Sequence, residues 1–329
     1  LHKEYRRQRQ MCIRDRCSTM YLFERLIKNY PKRFGTFLAL IGVLILTPDT
    51  MVMRFSNLDR WPLMGWRGVL MGVTLLIIWR FLFFSNSKKN WRTLYTWPGI
   101  ILIISFSINS VTFTLGIQET SVMLVLTAVA TMPVFAAILS SFMLRETQGW
   151  LGWLTIIAAM VGVAIVVSDG NNAISQPEGS PVLGAAYGAI TAFGLALAFT
   201  MVRKYHDLEV IPAAAVGALI SGIIGFAFST EGSIFNAPIW TVFTMGVVIL
   251  PVSFAFLIIA PRYTTSAIVS LIMLLEMVIG PFWVWFGIGE RPSLIMIFGG
   301  CIVIVVIAFH IVRTQFYSIK NTSNFHQNT

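Results

Sequence analysis

Charge is scarce in this chain: only 12% of its 329 residues are Asp, Glu, Lys or Arg, about half the share usual in soluble domains. That shortage, with 56% hydrophobic residues and a mean hydropathy of +0.77, excludes a water-soluble fold. Cysteine is equally thin. Of three in the chain, Cys12 and Cys17 fall in a basic N-terminal stretch and Cys301 in an apolar run, so neither a disulfide framework nor a metal-ligand cluster can be assembled. There is no nucleophile–base pairing, no glycine-rich phosphate loop and no HExxH-like zinc site, and His206 and His310 stand alone near span ends. Enzyme chemistry and a bound cofactor are therefore not expected. The formal charge of +10 does not imply a nucleic-acid partner either, because the Lys and Arg residues sit in short gaps and form no stripe.

What the chain has in abundance is uninterrupted apolar sequence. Ten runs recur between Phe34–Val52 and Leu294–Val312, each of about 17 to 23 residues and so long enough to cross roughly 30 Å of hydrocarbon as a helix. No backbone group can stay unpaired in lipid, so the runs must be helical. The expected fold class is an all-α integral membrane protein with ten transmembrane helices, partnered by the lipid bilayer.

Short cytoplasmic loops retain Lys and Arg. Gaps sharing a side with the N-terminus hold fourteen of them, among them Lys32, Arg33, Arg80, Arg145, Arg203 and Arg262, whereas the opposite side holds only Arg54, Arg60, Arg67 and Arg291. The asymmetry places both termini in the cytoplasm, in a multi-pass protein of a bacterial inner (plasma) membrane. Residues 1–19 are basic and polar and read as a non-native or disordered leader, with the natural start expected at Met20; a genuine basic tail is the competing reading. Residues 313–329 are read as a cytoplasmic tail.

The longest polar interval, rich in Gly, Pro and Asn, is taken as a linker over residues 169–181. It separates a first five-helix unit, 34–168, from a second, 182–312. Shifting the sequence by 144 residues lays Thr120 on Thr264 and Glu146 on Glu290. Since five is odd, the second unit must lie upside down, an inverted repeat of the kind common in secondary transporters.

Glu119-Thr120-Ser121, Pro133, Leu144-Arg145-Glu146, then Leu274-Leu275-Glu276 and Gly289-Glu290-Arg291-Pro292 together resemble the drug/metabolite transporter superfamily, specifically its EamA-type permeases with two EamA domains. The resemblance covers about Gly35 to Ile311. It implies a secondary transporter of a small metabolite, an amino acid or other small organic solute, working by alternating access with or without proton coupling, with export favoured over import. The alternative is a non-transporting receptor or assembly protein on the same scaffold. A monomer or homodimer is expected. One departure is Met277, where the family often has proline after the second-half glutamate.

Ionisable groups inside spans are costly unless paired or wetted, which makes them the sharpest candidates. Glu276 falls near the middle of span nine: it reads either as a proton- or cation-binding acid in a central cavity or as a structural carboxyl tying that helix to its neighbours. Asp49 and Arg67 lie at matching depth in spans one and two and can meet, as a structural tie, an outer gate or a direct substrate contact. Span three offers Ser105, Ser107 and Asn109 at mid-depth, with Thr112 and Thr114 beyond; Asn109 is the best cavity candidate because its amide both donates and accepts, although such groups also simply hold helices together. Trp283 sits deeper than interfacial tryptophans do, as an aromatic cavity wall or as packing. Prolines 48, 133, 251 and 281 interrupt helical hydrogen bonding within spans, and the Gly68-x3-Gly72 spacing predicts close helix approach.

Overall fold

The structure is a computed structural model that describes residues 30–83, 91–120, 122–146, 149–170, 180–230, 234, 238–288 and 294–327. The expected leader, most of the linker and Glu290 lie outside the described residues. Those residues are nearly all helical, with no strand among them. The main helices are α1 Pro31–Leu46, α2 Asp49–Ser56, α3 Arg60–Ile78, α4 Trp97–Glu119, α5 Val122–Val129, α6 Met132–Leu144, α7 Trp150–Gly170, α8 Pro181–Lys204, α9 Val210–Ala227, α10 Ile239–Phe243, α11 Leu250–Ile259, α12 Ser266–Ile288 and α13 Leu294–Gln327.

Eight stretches among the described residues are long and apolar enough to cross a membrane: Pro31–Met53, Arg60–Phe81, Trp97–Glu119, Val125–Leu144, Val182–Lys204, Val210–Ala227, Ile239–Arg262 and Ser266–Gly287. The fifth and tenth runs of the sequence fall on α7 and α13, whose apolar stretches Trp150–Ile165 and Ile297–His310 are shorter. On α4 the exposed face carries Ile100, Ile104 and Ile108 while Ser105, Asn109 and Thr112 are buried. Apolar side chains outside and polar ones inside invert the pattern of a soluble helix and suit a hydrocarbon surround.

Proline chemistry accounts for the interruptions. Pro48 follows the end of α1, where the Thr47 hydroxyl donates to the Leu44 carbonyl at 2.9 Å, and α2 restarts at Asp49. Pro133 lacks the N–H that would bond to Val129, and α5 stops there. Pro251 follows a π-helical segment, Thr244–Ile249, between α10 and α11. The helix α12 runs unbroken from Ser266 to Ile288. Met277, the residue 144 positions after Pro133, keeps its backbone N–H, so no break like that at Pro133 falls there, while Pro281 is accommodated within the helix.

The bundle is assembled by extended pairings, among them α3 along α9, α4 along α8, α7 along α13, α4 along α9, and α1 along α11. In the first, backbones touch. A Cβ on Gly68 would lie 2.4 Å from the Gly222 nitrogen, and one on Gly225 would lie 2.3 Å from that of Gly65. No side chain fits at such a crossing, whereas Gly149 has nothing within 4 Å of its missing Cβ. Gly68→Ala should therefore destabilise the detergent-solubilised protein by about 1–3 kcal/mol and lower its melting temperature, with Gly149→Ala as the neutral control; equal melting of the two variants contradicts this packing.

Candidate functional site

The helices enclose a cavity with an empty volume of about 760 Å³, the space at its mouth included. Each of the eight membrane-length stretches contributes to its wall, whereas α7 and α13 do not, so the site lies in the middle of the bundle. Its charged lining consists of Asp49, Arg67 and Glu276, and its polar neutral lining of Asn109, Ser110, Thr114 and Thr191. Phe106, Phe113 and Phe254 supply aromatic surface.

Asp49 opens α2 directly after the Pro48 break, at a helix N-terminus whose free N–H groups favour an anion. Arg67 reaches it from α3, with Nη1 3.0 Å from Oδ1 and 2.9 Å from Oδ2. The same Nη1 lies 3.0 Å from the Met245 Sδ, and Cζ stands 6.0 Å from the centre of the Phe113 ring. Both charges are buried, Asp49 at 1% exposure and Arg67 at 7%. The two residues that the sequence placed at matching depth thus form an ion pair on the cavity wall.

Glu276 projects from α12 and is only 8% exposed. Among the described residues it has no hydrogen-bond or ion-pair partner, and what surface it retains faces the cavity and a smaller void lined also by Val129, Met132, Ser270 and Met277. Asn109 is in the same position, 7% exposed and unpartnered on the cavity wall. Ser107 lies outside the wall, its hydroxyl turned back to the Ile103 carbonyl at 2.9 Å, as does Ser105, bonded to the Ile101 carbonyl at 2.8 Å. Trp283 is likewise outside: its Nε1 donates to the Thr47 hydroxyl at 2.8 Å, tying α12 to the joint between α1 and α2.

Sequence reasoning passed over Ser110 and Thr191, which look like any other span hydroxyls. In the structure Ser110 pairs with Ser221 at 2.6 Å and Thr191 with Thr112 at 2.7 Å, so α4 is tied to α9 and α8 beside the cavity. It also passed over a polar cluster at one end of the bundle. There Ser140 and Ser266 hydroxyls meet at 2.6 Å, the Thr200 hydroxyl lies 3.5 Å from Ser266, and Arg203 pairs with Glu146 at 3.2 Å. Arg203 also donates to the Arg262 carbonyl at 3.3 Å, and Arg262 to that of Leu208. Arg145, held at a left-handed φ of 56°, closes α6 and sets Glu146 facing Arg203. Three polar atoms of this cluster, Glu146 Oε2, Arg262 Nε and Thr264 Oγ1, are buried without a partner among the described residues. The helix α12 packs on α6 at this end, whereas α5 packs mainly on α8.

A multi-helix membrane protein with a charged, partly aromatic cavity at mid-bundle is built as a membrane transporter is built. Residues 33–168, less than half of the chain, are similar to the EamA-like transporter family. A solved structure described as "Crystal structure of protein" shares the fold, with a TM-score of 0.69 over 83% of this chain and 95% of its own at 11% identity. No curated protein matches the sequence.

The buried pair gives a test of its own. Arg67→Met leaves Asp49 buried without a counter-charge and should cost about 3–5 kcal/mol, whereas Asp49→Leu combined with Arg67→Met should cost less than Arg67→Met alone. Thermal melts of the single and double variants read the coupling, and simple additivity would show that the pair contributes nothing as a pair.

Proposed function

We propose that this chain is a secondary transporter of a small organic solute that works by alternating access, with Glu276 as the proton-coupling group and Asn109, Asp49 and Arg67 on the solute path. The observation that carries the reading is the cavity at mid-bundle, with a carboxylate and an amide on its wall that have no partner among the described residues.

Several features support the rest. Exchanging the two five-helix units maps the packing onto itself: α3–α9 and α7–α13 return to themselves, α4–α8 becomes α11–α1, and the contacts of α8 with α5 and α6 become those of α1 and α2 with α12. That is the pattern of an inverted repeat, in which rocking one unit against the other opens the cavity to alternate sides. The Ser140–Ser266 and Glu146–Arg203 contacts form the shut end. The concentration of Arg and Lys on that side assigns it to the cytoplasm, so the cavity faces outward in this state, with both termini cytoplasmic in a bacterial inner membrane. The three unpartnered polar atoms at the shut end mark it as a closure that can be released, because a permanent contact would satisfy them. Export is favoured over import.

Replacing Ser140 and Ser266 together by cysteine puts two thiols where hydroxyls now touch. Oxidation should lock this end and abolish solute flux in reconstituted vesicles, and dithiothreitol should restore it; flux that survives a completed disulfide refutes alternating access through this contact. In the same vesicles Glu276→Gln should flatten the pH dependence of flux, and an unaltered pH profile removes Glu276 from the coupling role.

A further inference from the structure

We infer that the solute this cavity takes is an uncharged, planar heterocycle with an amide-type edge, of the nucleobase kind, and that the Asn109 carboxamide reads that edge. The inference rests on the transporter reading above and names its cargo.

The charges on the wall are already assigned. Asp49 and Arg67 neutralise each other across 2.9 and 3.0 Å, and Glu276 is the group given to proton coupling. A net charge on the solute would then be buried without a counter-charge, which costs far more than burying a polar group that is hydrogen-bonded. Recognition therefore falls to the uncharged polar groups. Most of these are engaged: the Ser110 hydroxyl with that of Ser221 at 2.6 Å, Thr191 with Thr112 at 2.7 Å, and Thr114 with the Ser110 carbonyl at 3.0 Å. Asn109 is different, 7% exposed and with no partner among the described residues. A buried amide is costly until something bonds to it, so the ligand that recovers most is one that meets both its N–H and its C=O.

Position narrows the shape of that ligand. Phe106, Asn109 and Phe113 follow one another at three- and four-residue spacing along α4 and all line the cavity, so the amide stands between two phenyl rings on one face of the helix. A flat ring can lie against a phenyl face while its –NH–C(=O)– edge pairs with the carboxamide. Proteins read nucleobases by this combination, a two-bond carboxamide contact to the base edge and stacking on aromatic side chains. Arg67 extends the same wall, its Cζ standing 6.0 Å from the centre of the Phe113 ring. The contacts it makes with Asp49 and Met245 all run through Nη1, which leaves its Nε and Nη2 donors for a second carbonyl of the solute. A saturated chain would use the amide and not the rings, and a simple hydrocarbon ring the reverse.

The test is thermal melting of the purified protein at neutral pH with a series built on one ring: uracil, dihydrouracil (same edge, ring puckered), N,N′-dimethyluracil (flat ring, N–H groups methylated) and orotate (same ring carrying a carboxylate), with n-butylammonium as a cation. At millimolar concentration uracil should raise the melting temperature by several degrees, dihydrouracil by less and the other three by little, and the rise with uracil should vanish in Asn109→Leu. An equal or larger rise with any of the other four overturns the inference, as does no rise with uracil or a rise that survives in Asn109→Leu. Should Asn109→Leu fail to fold, photolabelling of the wild-type protein with iodouracil, read by peptide mass, replaces it. The label should fall on α4 at Phe106 or Phe113 and be displaced by excess uracil; a label that falls elsewhere, or that uracil does not displace, overturns the inference. Vesicle flux of a charged solute with none of uracil would overturn this cargo and leave the transporter reading standing. A folded protein that binds uracil and carries neither it nor any other solute sinks that reading, and the cargo with it.

Discussion

A charge placed where lipid is driest must find an opposite charge, water or a proton, and the interior of this bundle is organised by that demand. Asp49 and Arg67 meet it by pairing, Asp49 from the start of α2 after the Pro48 break and Arg67 from α3. The hydroxyls of α4 meet a milder form of it by bonding to their own helix or to α8 and α9. Glu276 is the exception: it is given space instead of a partner.

The two ends of the bundle treat polar groups differently. At the Arg203 end they are gathered into a compact cluster that joins α6, α8, α11 and α12, and several are left short of a partner. At the opposite end Arg60 reaches Glu119 at 3.4 Å, half exposed, and Glu119 also accepts from the Ser180 backbone N–H at 3.3 Å. An exposed pair of that kind contributes little. The difference in burial gives the molecule a tight end and a loose one, although both are built from the same residue types.

Much of the architecture was legible in the sequence because lipid imposes coarse, length-based rules. The apolar runs became helices, Pro48 and Pro133 became breaks, Gly68 became a backbone contact, and Asp49 met Arg67. Depth along a helix can be counted, but rotation about its axis cannot be read so well when most faces are apolar. That is why Asn109 was found on the wall while its neighbour Ser107, two residues away, turned out to bond within its own helix. Trp283, expected as a cavity wall or as packing, lies on another surface for the same reason. The Arg203–Glu146–Arg262 cluster escaped notice because, in sequence, these residues are ordinary loop charges; only the left-handed turn at Arg145 and the packing of α8 on α6 bring them together.

The π-helical segment at Thr244–Ile249 sets the register of everything before it. Such a segment holds one residue more than the α-helix it replaces, so deleting a residue there would straighten the rod and turn its upstream portion by about 100°. Gly246, now pressed against Leu70 so closely that its missing Cβ would fall 2.6 Å from that of the leucine, would swing away, and the Met245 sulfur would leave the guanidinium it touches. This loop of backbone slack is thus the dial that aims a soft, oxidisable thioether at Arg67, and a change in chain length there would retune the cavity without altering any side chain in its wall.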